Sequence, residues 1–260
     1  MLNKKMLHIQ ITEAKDLHPQ EEAQMVDLYL AHHHISREAC LKRIQEGFDR
    51  LVIFRTHKNG RIVGYNGYKV RTFRAPGFLR PIMAVYLGQL FIEKAYRGSH
   101  PVQWSTLKIF LKHKLFRPWY KTVIWADALT YKPYLLIAKN SHSFYPNPEK
   151  PTPPAYHMLI NYLGMTHYGE SYNPASGTVT KQRKLLKDHV APIRPRLLKN
   201  PLIRFYAEKN PGHSKGNGML VLTDYDWLVM ANVVIKVAKM NMRRRRKAWK
   251  NTFYRSTSPA

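Results

Sequence analysis

Few residues of this chain combine a reactive type with a setting suited to chemistry. Asp127 follows the apolar run TVIWA (residues 122–126) and so emerges at the carboxyl end of a buried strand, where open α/β sheets place their sites. An aspartate there also fits a helix cap. Glu93 closes another apolar run and reads either as a base or as a solvated strand end. Beyond it, Arg97-Gly98-Ser99-His100-Pro101-Val102 leads into a helix, and such a helix start turns N–H groups and a positive dipole end toward a phosphate. Tyr131, Tyr134 and Tyr145 lie downstream, but among sixteen tyrosines each also serves as packing with a bonded hydroxyl. His32-His33-His34 fits no metal, because consecutive helical residues point about 100° apart and cannot close on one ion. No His-x-x-x-His or carboxylate pattern suggests zinc. The lone cysteine, Cys40, on an apolar helical face, excludes an internal disulfide and a cysteine-built zinc site, and it suits a reduced, cytoplasmic setting. The serines lack the strand-to-helix elbow of a nucleophile.

These residues need a scaffold, and the apolar periodicity supplies one. HIQITEA (8–14) alternates as a strand; Pro19, followed by Glu21 and Glu22, opens a helix, and Ser36 caps a second that runs to Gly47. From Arg50 the period becomes two. Strands are predicted over 51–57, 61–73 and 84–93, joined at Lys58-Asn59-Gly60 and Ala75-Pro76-Gly77 into an antiparallel meander. Gly64 and Gly67 mark bulges or close backbone approach. Ser99 or His100 caps a helix with Leu107, Phe110, Leu111 and Leu115 on one face, and 122–126 follows as a parallel strand after this crossover. Helices are predicted over 133–140 and 156–164, the second ending at Gly164, with a proline-rich loop at 145–154 between them. Residues 165–200 read as loop with a basic helical turn at 181–187. Two late strands, 202–207 and 219–223, precede an Asp224-capped helix from Trp227 to about Met242. The organisation expected is one domain over 1–240 and a basic tail over 241–260.

Charge narrows the partners. The 260 residues hold 43 basic and 16 acidic side chains, a net +27. Residues 1–50 carry seven bases against eight acids, so the remainder holds the whole excess, net +28 with only eight acids. Such a body favours an anionic partner. No run of about twenty apolar residues predicts a membrane span. Arg243–Lys247, with Trp249, Phe253 and Tyr254 behind it, suits peripheral contact with an anionic membrane or with nucleic acid. Hydrophobic residues at 44% and aromatics at 12% exclude a disordered chain.

The order strand, two helices, three antiparallel strands, helix, parallel strand, helix resembles the GNAT superfamily of N-acyltransferases over roughly residues 8–165. Its most specific stretch is LGQLFIEKAYRGS (87–99), similar to that family's fourth strand and the Tyr-Arg-Gly loop after it. The resemblance implies a mixed α/β fold (α+β) with a mostly antiparallel sheet flanked by helices, and direct attack of an amine on an acyl-thioester. It implies an oxyanion hole at the amide of Phe91 or Ile92 and phosphate contacts over Arg97, Gly98, Ser99, His100 and Val102. It also implies a base, for which Glu93, Asp127, His100 or water are open, and an acid, for which Tyr134 or Tyr145 is favoured.

The family's usual acid on the fourth strand is missing, since Tyr86 stands six residues before Ile92. Two glycines of the pyrophosphate loop are missing as well: His100 and Val102 stand there. A donor needing less of that loop, such as the phosphopantetheine of an acidic acyl carrier protein, is therefore favoured beside acyl-CoA. No permanently bound cofactor is expected; the acceptor is a small-molecule or peptide amine. The competing reading is a basic nucleic-acid-binding protein without activity, although no helix-turn-helix, zinc-finger or RNA-binding signature supports it.

Overall fold

The computed structural model describes residues 7–57, 59–99, 101–181, 186–187, 190–235, 238–239 and 242. His100, the basic run after Met242 and most of the predicted basic turn at 181–187 lie outside the described residues.

Strand β1 (Leu7–Thr12) pairs antiparallel with β2 (Arg50–Thr56), β2 with β3 (Ile62–Phe73), and β3 with β4 (Ile82–Ile92). Between β1 and β2 come α1 (Pro19–Leu30) and α2 (Arg37–Glu46). Each is started by its own sequence: the His18 ring accepts from Gln20 N–H while Glu21 reaches back to His18 N–H, and Ser36 accepts from Ala39 N–H. Helix α3 (Pro101–Phe116) then crosses over to β5 (Lys121–Ala128), which runs parallel to β4. Helix α4 (Tyr131–Ala138), the short β6 (Phe144–Tyr145), α5 (Pro154–Tyr168) and the hairpin β7 (Tyr172–Asn173)–β8 (Thr178–Val179) follow. Helix α6 (Pro201–Lys209), β9 (Gly218–Asp224) and helix α7 (227–235) complete the order. The sheet order is β1-β2-β3-β4-β5-β9-β8-β7, with β6 also on β9.

Strand side chains alternate between the two faces. One face carries Leu51, Ile53 and Tyr65 against α1 and α2, and Ile82, Ala84, Tyr86, Val123 and Trp125 against α5. The opposite face carries Phe54, Val85 and Ile124 against α3 and α7, and Ala126 and Ala128 beside α4 and α6. Where Gly67 pairs with Gly88, the Phe48 ring lies on the strands, and a Cβ at Gly67 would fall 2.1 Å from it. Side chains there would lift Phe48 off the sheet.

The mixed, mostly antiparallel sheet, the two opening helices, the meander, the α3 crossover and the parallel β5 match the sequence expectations. Several elements differ. Residues 202–207 are helical, not a strand. Asn200 accepts from Leu202 and Ile203 N–H and Pro201 fills the first turn, so capping beat a short apolar run that lacks alternation. Helix α5 runs through Gly164 to Tyr168; Gly164 is buried against the Tyr172 ring, and Gly169, at φ 54°, ends the helix instead. The predicted loop at 165–200 thus contains the end of α5 and the β7–β8 hairpin, and Tyr145 belongs to β6 rather than to the proline-rich loop. Asp226, not Asp224, caps α7 by accepting from Val229 N–H; Asp224 instead takes Lys121 and the Tyr156 hydroxyl.

Candidate active site

The parallel pairing of β4 with β5 runs from Ile82↔Lys121 to Tyr86↔Trp125 and stops, although β4 continues to Ile92 and β5 to Ala128. Two local features part the strands. On β3, Tyr65 faces Phe91 while Gly67 faces Gly88, so β4 spends one extra residue there, and Gln89 sits at φ 51° in this bulge. On the other side, β9 holds β5 in register through Ala128 and keeps it from following β4. A gap therefore opens between residues 87–92 and 126–128.

Backbone polarity in the gap follows from alternation along an antiparallel ladder. Glu93 N–H donates to Val63 O, so Phe91 also turns its N–H to β3 and Ile92 turns its N–H and C=O to the gap. Arg97 Nε donates to that Ile92 carbonyl at 2.8 Å, leaving the rest of an exposed guanidinium free to reach outward. Of the two amides, the Ile92 N–H faces the gap and the Phe91 N–H faces β3.

Asp127 stands at the mouth of the gap on the α5 face. Its Oδ1 accepts from Tyr86 Oη at 3.0 Å, and its Oδ2 is paired with Lys181 Nζ at 2.9 Å. Tyr86 and Tyr168 share a hydrogen bond of 3.2 Å, and Lys181 lies over the Tyr168 ring, 4.5 Å from its centroid. Each member is delivered by its own element. The register of β4 on β5 puts Tyr86 beside Trp125, one side-chain repeat from Asp127. The end of α5 supplies His167 and Tyr168, and the chain leaving β8 supplies Lys181. Burial, then the Asp127 carboxylate, lifts the Tyr86 and Tyr168 phenols well above their usual range, so both stay protonated. Burial holds His167, whose ring packs on Tyr86 and Trp125, below the usual imidazole range.

The remaining predicted residues are placed differently. Glu93 is taken in a fork by Arg61, with contacts of 2.5 and 3.0 Å, at the solvated strand end. Tyr134 is fully buried among Phe144, Phe205 and Tyr206, with its hydroxyl donated to the Pro146 carbonyl. Tyr145 accepts from Ser143 and packs on Tyr156. None of these three contacts reaches the Asp127 cluster. Gly98 and Ser99 end a 3-10 turn, Lys94–Ser99, and Val102 lies in the first turn of α3. Burial, then the neighbouring charges of Arg97 and Lys94, lowers the Lys132 ammonium at the start of α4. Sequence reasoning missed Tyr168, Lys181 and Lys132, which come from segments far apart along the chain. Tyr86 was visible only as the residue standing where an acid was expected. Among the described residues, no group of three or more histidine, cysteine or acidic side chains could hold a metal, and no helix is long and apolar enough to cross a membrane.

No family model matches the chain, and no curated protein does. Solved structures overlap it in part. A GNAT family N-acetyltransferase from Escherichia coli (YhbS), in complex with CoA, aligns at 14% identity over 50% of this chain and 65% of its own length, with a TM-score of 0.35. A probable N-acyltransferase from Enterococcus faecalis aligns at 14% identity over 54% of this chain and 33% of its own, with a TM-score of 0.35. Escherichia coli ElaA aligns at 20% identity over 54% and 88%, with a TM-score of 0.33. These overlaps are partial and distant. The chain's own topology, with an antiparallel β1–β4 run, the α3 crossover and a parallel pair that parts midway, is a GNAT-like fold.

Proposed function

We propose that the chain transfers an acyl group from a thioester donor, acyl-CoA or a carrier-borne phosphopantetheine, to an amine. The observation that carries this reading is the parting of β4 from β5 after Tyr86 and Trp125, with a buried carboxylate and two phenols at its mouth. An acyl-thioester lying in the gap meets the Ile92 N–H, which stabilises negative charge on the carbonyl oxygen during attack. The phosphate end of the donor meets Arg97, Lys94 and Lys132 and the first turn of α3, where Val102 lies.

The amine nitrogen forms a bond to the acyl carbon and the carbon–sulfur bond breaks. Asp127 accepts the proton that the neutral amine gives up on bonding to the acyl carbon, the Tyr86–Tyr168 pair, kept protonated by burial, supplies one to the departing thiolate, and the proton on Asp127 returns to the tyrosine through the Tyr86–Asp127 hydrogen bond. Lys181 orients the Asp127 carboxylate through their ion pair. This gives to Tyr86 and Tyr168 the acid role expected of Tyr134 or Tyr145, whose hydroxyls are occupied elsewhere.

The test is thiol release from acyl-CoAs and acyl carrier proteins of several chain lengths, with a mixture of amines as acceptor. Turnover is expected, with Asp127→Asn lowering kcat by about 10²-fold or more and Tyr86→Phe by about 10-fold or more. Absence of thiol release from every donor, in protein of unchanged melting temperature, overturns the reading.

A further inference from the structure

One end of the sheet carries apolar side chains that no described residue covers. By the registers Phe73↔Ile82, Ile82↔Lys121 and Val123↔Asp224, β3 and β9 end there while β4 and β5 begin. The connections at this end are tied to one another. Lys121 N–H donates to Pro81 O at 2.8 Å, Lys114 Nζ to Tyr120 O at 2.6 Å, and Tyr225 N–H to Thr122 O at 3.0 Å. Each tie has exposed apolar residues beside it: Leu79 next to Pro81, Leu115, Phe116 and Trp119 between Lys114 and Tyr120, and Trp227 just after Tyr225. The Trp227 ring also meets Phe110 edge-on at 5.2 Å, which sets the start of α7 beside α3. Leu79 is fully exposed and Phe116 is 76% exposed. Single exposed apolar residues are ordinary, but five at one end, two of them tryptophans, mark a contact surface.

Charge selects the occupant. Arg74, Arg80 and Arg117 lie in the same connections, are exposed, and form no ion pair among the described residues. The aspartates here are engaged, Asp224 by Lys121 and Asp226 as the cap of α7. A second copy of the chain would set these cations against themselves, and the chain's own basic run, Arg243–Lys247, carries the same sign. A nucleic-acid backbone would pair the cations but give Leu79 and Leu115 nothing to bury against. We propose that this end docks on an anionic membrane surface. Its leucines and aromatic rings enter the boundary between headgroups and acyl chains, and Arg80 and Arg117 meet the anionic headgroups. Tryptophan, apolar in body with one polar N–H, suits that boundary, and an anionic leaflet attracts each cation held near it. Strand β4 leads from this end to Ile92 in 11 residues, roughly 30 Å, so the gap between β4 and β5 faces the water. The proposal stands or falls independently of acyl transfer.

The test is flotation of the full chain with two kinds of vesicle: phosphatidylcholine alone, and phosphatidylcholine with about a third phosphatidylglycerol. The mixed vesicles are expected to bind the chain roughly tenfold or more tightly than the neutral ones. Leu79→Ser combined with Phe116→Ser should weaken that binding about tenfold at an unchanged melting temperature, because both side chains are exposed. Arg80→Gln combined with Arg117→Gln should also weaken binding to the mixed vesicles, and this pair decides the matter if the serine variant melts lower. No binding to either vesicle, or equal binding to both, overturns the proposal. Binding that survives either double variant in folded protein overturns it as well, by assigning the contact to another basic surface such as the run at 243–247. If vesicles go unbound while a gel shift with nucleic acid or a concentration-dependent dimer is lost in the serine variant, the face belongs to that partner instead.

Discussion

His33 shows how one side chain can make this fold acid-sensitive. Its ring stacks on Tyr29 at 3.7 Å and its Nδ1 donates to the Tyr29 carbonyl at 3.0 Å, which fixes the neutral tautomer. Burial, opposed by that bond and reinforced by His32, Arg43 and Lys187, lowers the imidazole to about 4 from 6.5. A histidine depressed in the folded state binds its proton more readily when unfolded. Its contribution is therefore complete above about pH 6.5 and is lost as pH falls toward 4. After discounting for partial exposure, the loss amounts to about 1–2 kcal/mol. Melting temperatures at pH 7.5 and 5.0 check this: the wild-type difference should shrink in His33→Asn. His113, His167 and His213 are lowered in the same direction, so part of the acid sensitivity should remain. A variant that falls as steeply as wild type would place the sensitive group elsewhere.

At the scale of elements, the crossed glycines Gly67 and Gly88 decide how closely α2 and the loop after it approach the sheet. A methyl at position 67 meets the Phe48 ring at 2.1 Å, and at position 88 it meets both Phe48 and the Tyr86 ring, each at 2.8 Å. Gly67→Ala should cost about 1–3 kcal/mol in chemical denaturation. Adding Phe48→Leu should recover part of that loss, since the smaller side chain vacates the contested space; additive losses would mean that Phe48 is not the obstacle. Gly67 was readable in the sequence as a site of close approach, and so was most of the scaffold. The meander, α3 and β5 were legible because alternation, helical spacing and Pro/Gly punctuation agree in each of them. Residues 202–207 were misread because a short apolar run carries no period of its own, although Asn200-Pro201 marked a helix start. The site was less legible. Asp127 could be singled out by its place after an apolar strand, but Tyr86, Tyr168 and Lys181 reach it only through strand register, the length of α5 and the β7–β8 hairpin. None of those is encoded near Asp127.

The whole molecule carries its net +27 almost entirely outside residues 1–50, and this excess acts on partners through long-range attraction that salt screens. Carrier-borne and CoA-borne donors should feel it differently. An acidic carrier protein spreads its charge over a surface wider than a Debye length and engages many cations at once, whereas CoA presents a compact group to the cations near Arg97. Raising salt from about 0.05 to 0.5 M, where the Debye length shrinks from roughly 14 to 4 Å, should lower kcat/KM for an acyl carrier donor about tenfold or more. The decline for acyl-CoA should be shallower. Arg97→Ala should weaken both donors while leaving the melting temperature nearly unchanged, because the side chain is exposed and makes one backbone contact, to Ile92. Equal salt slopes for the two donors would remove the carrier protein from the reading. Thiol release that ignores salt, beside a salt-sensitive gel shift with nucleic acid, would assign the charge to nucleic acid and leave the gap between β4 and β5 to CoA alone.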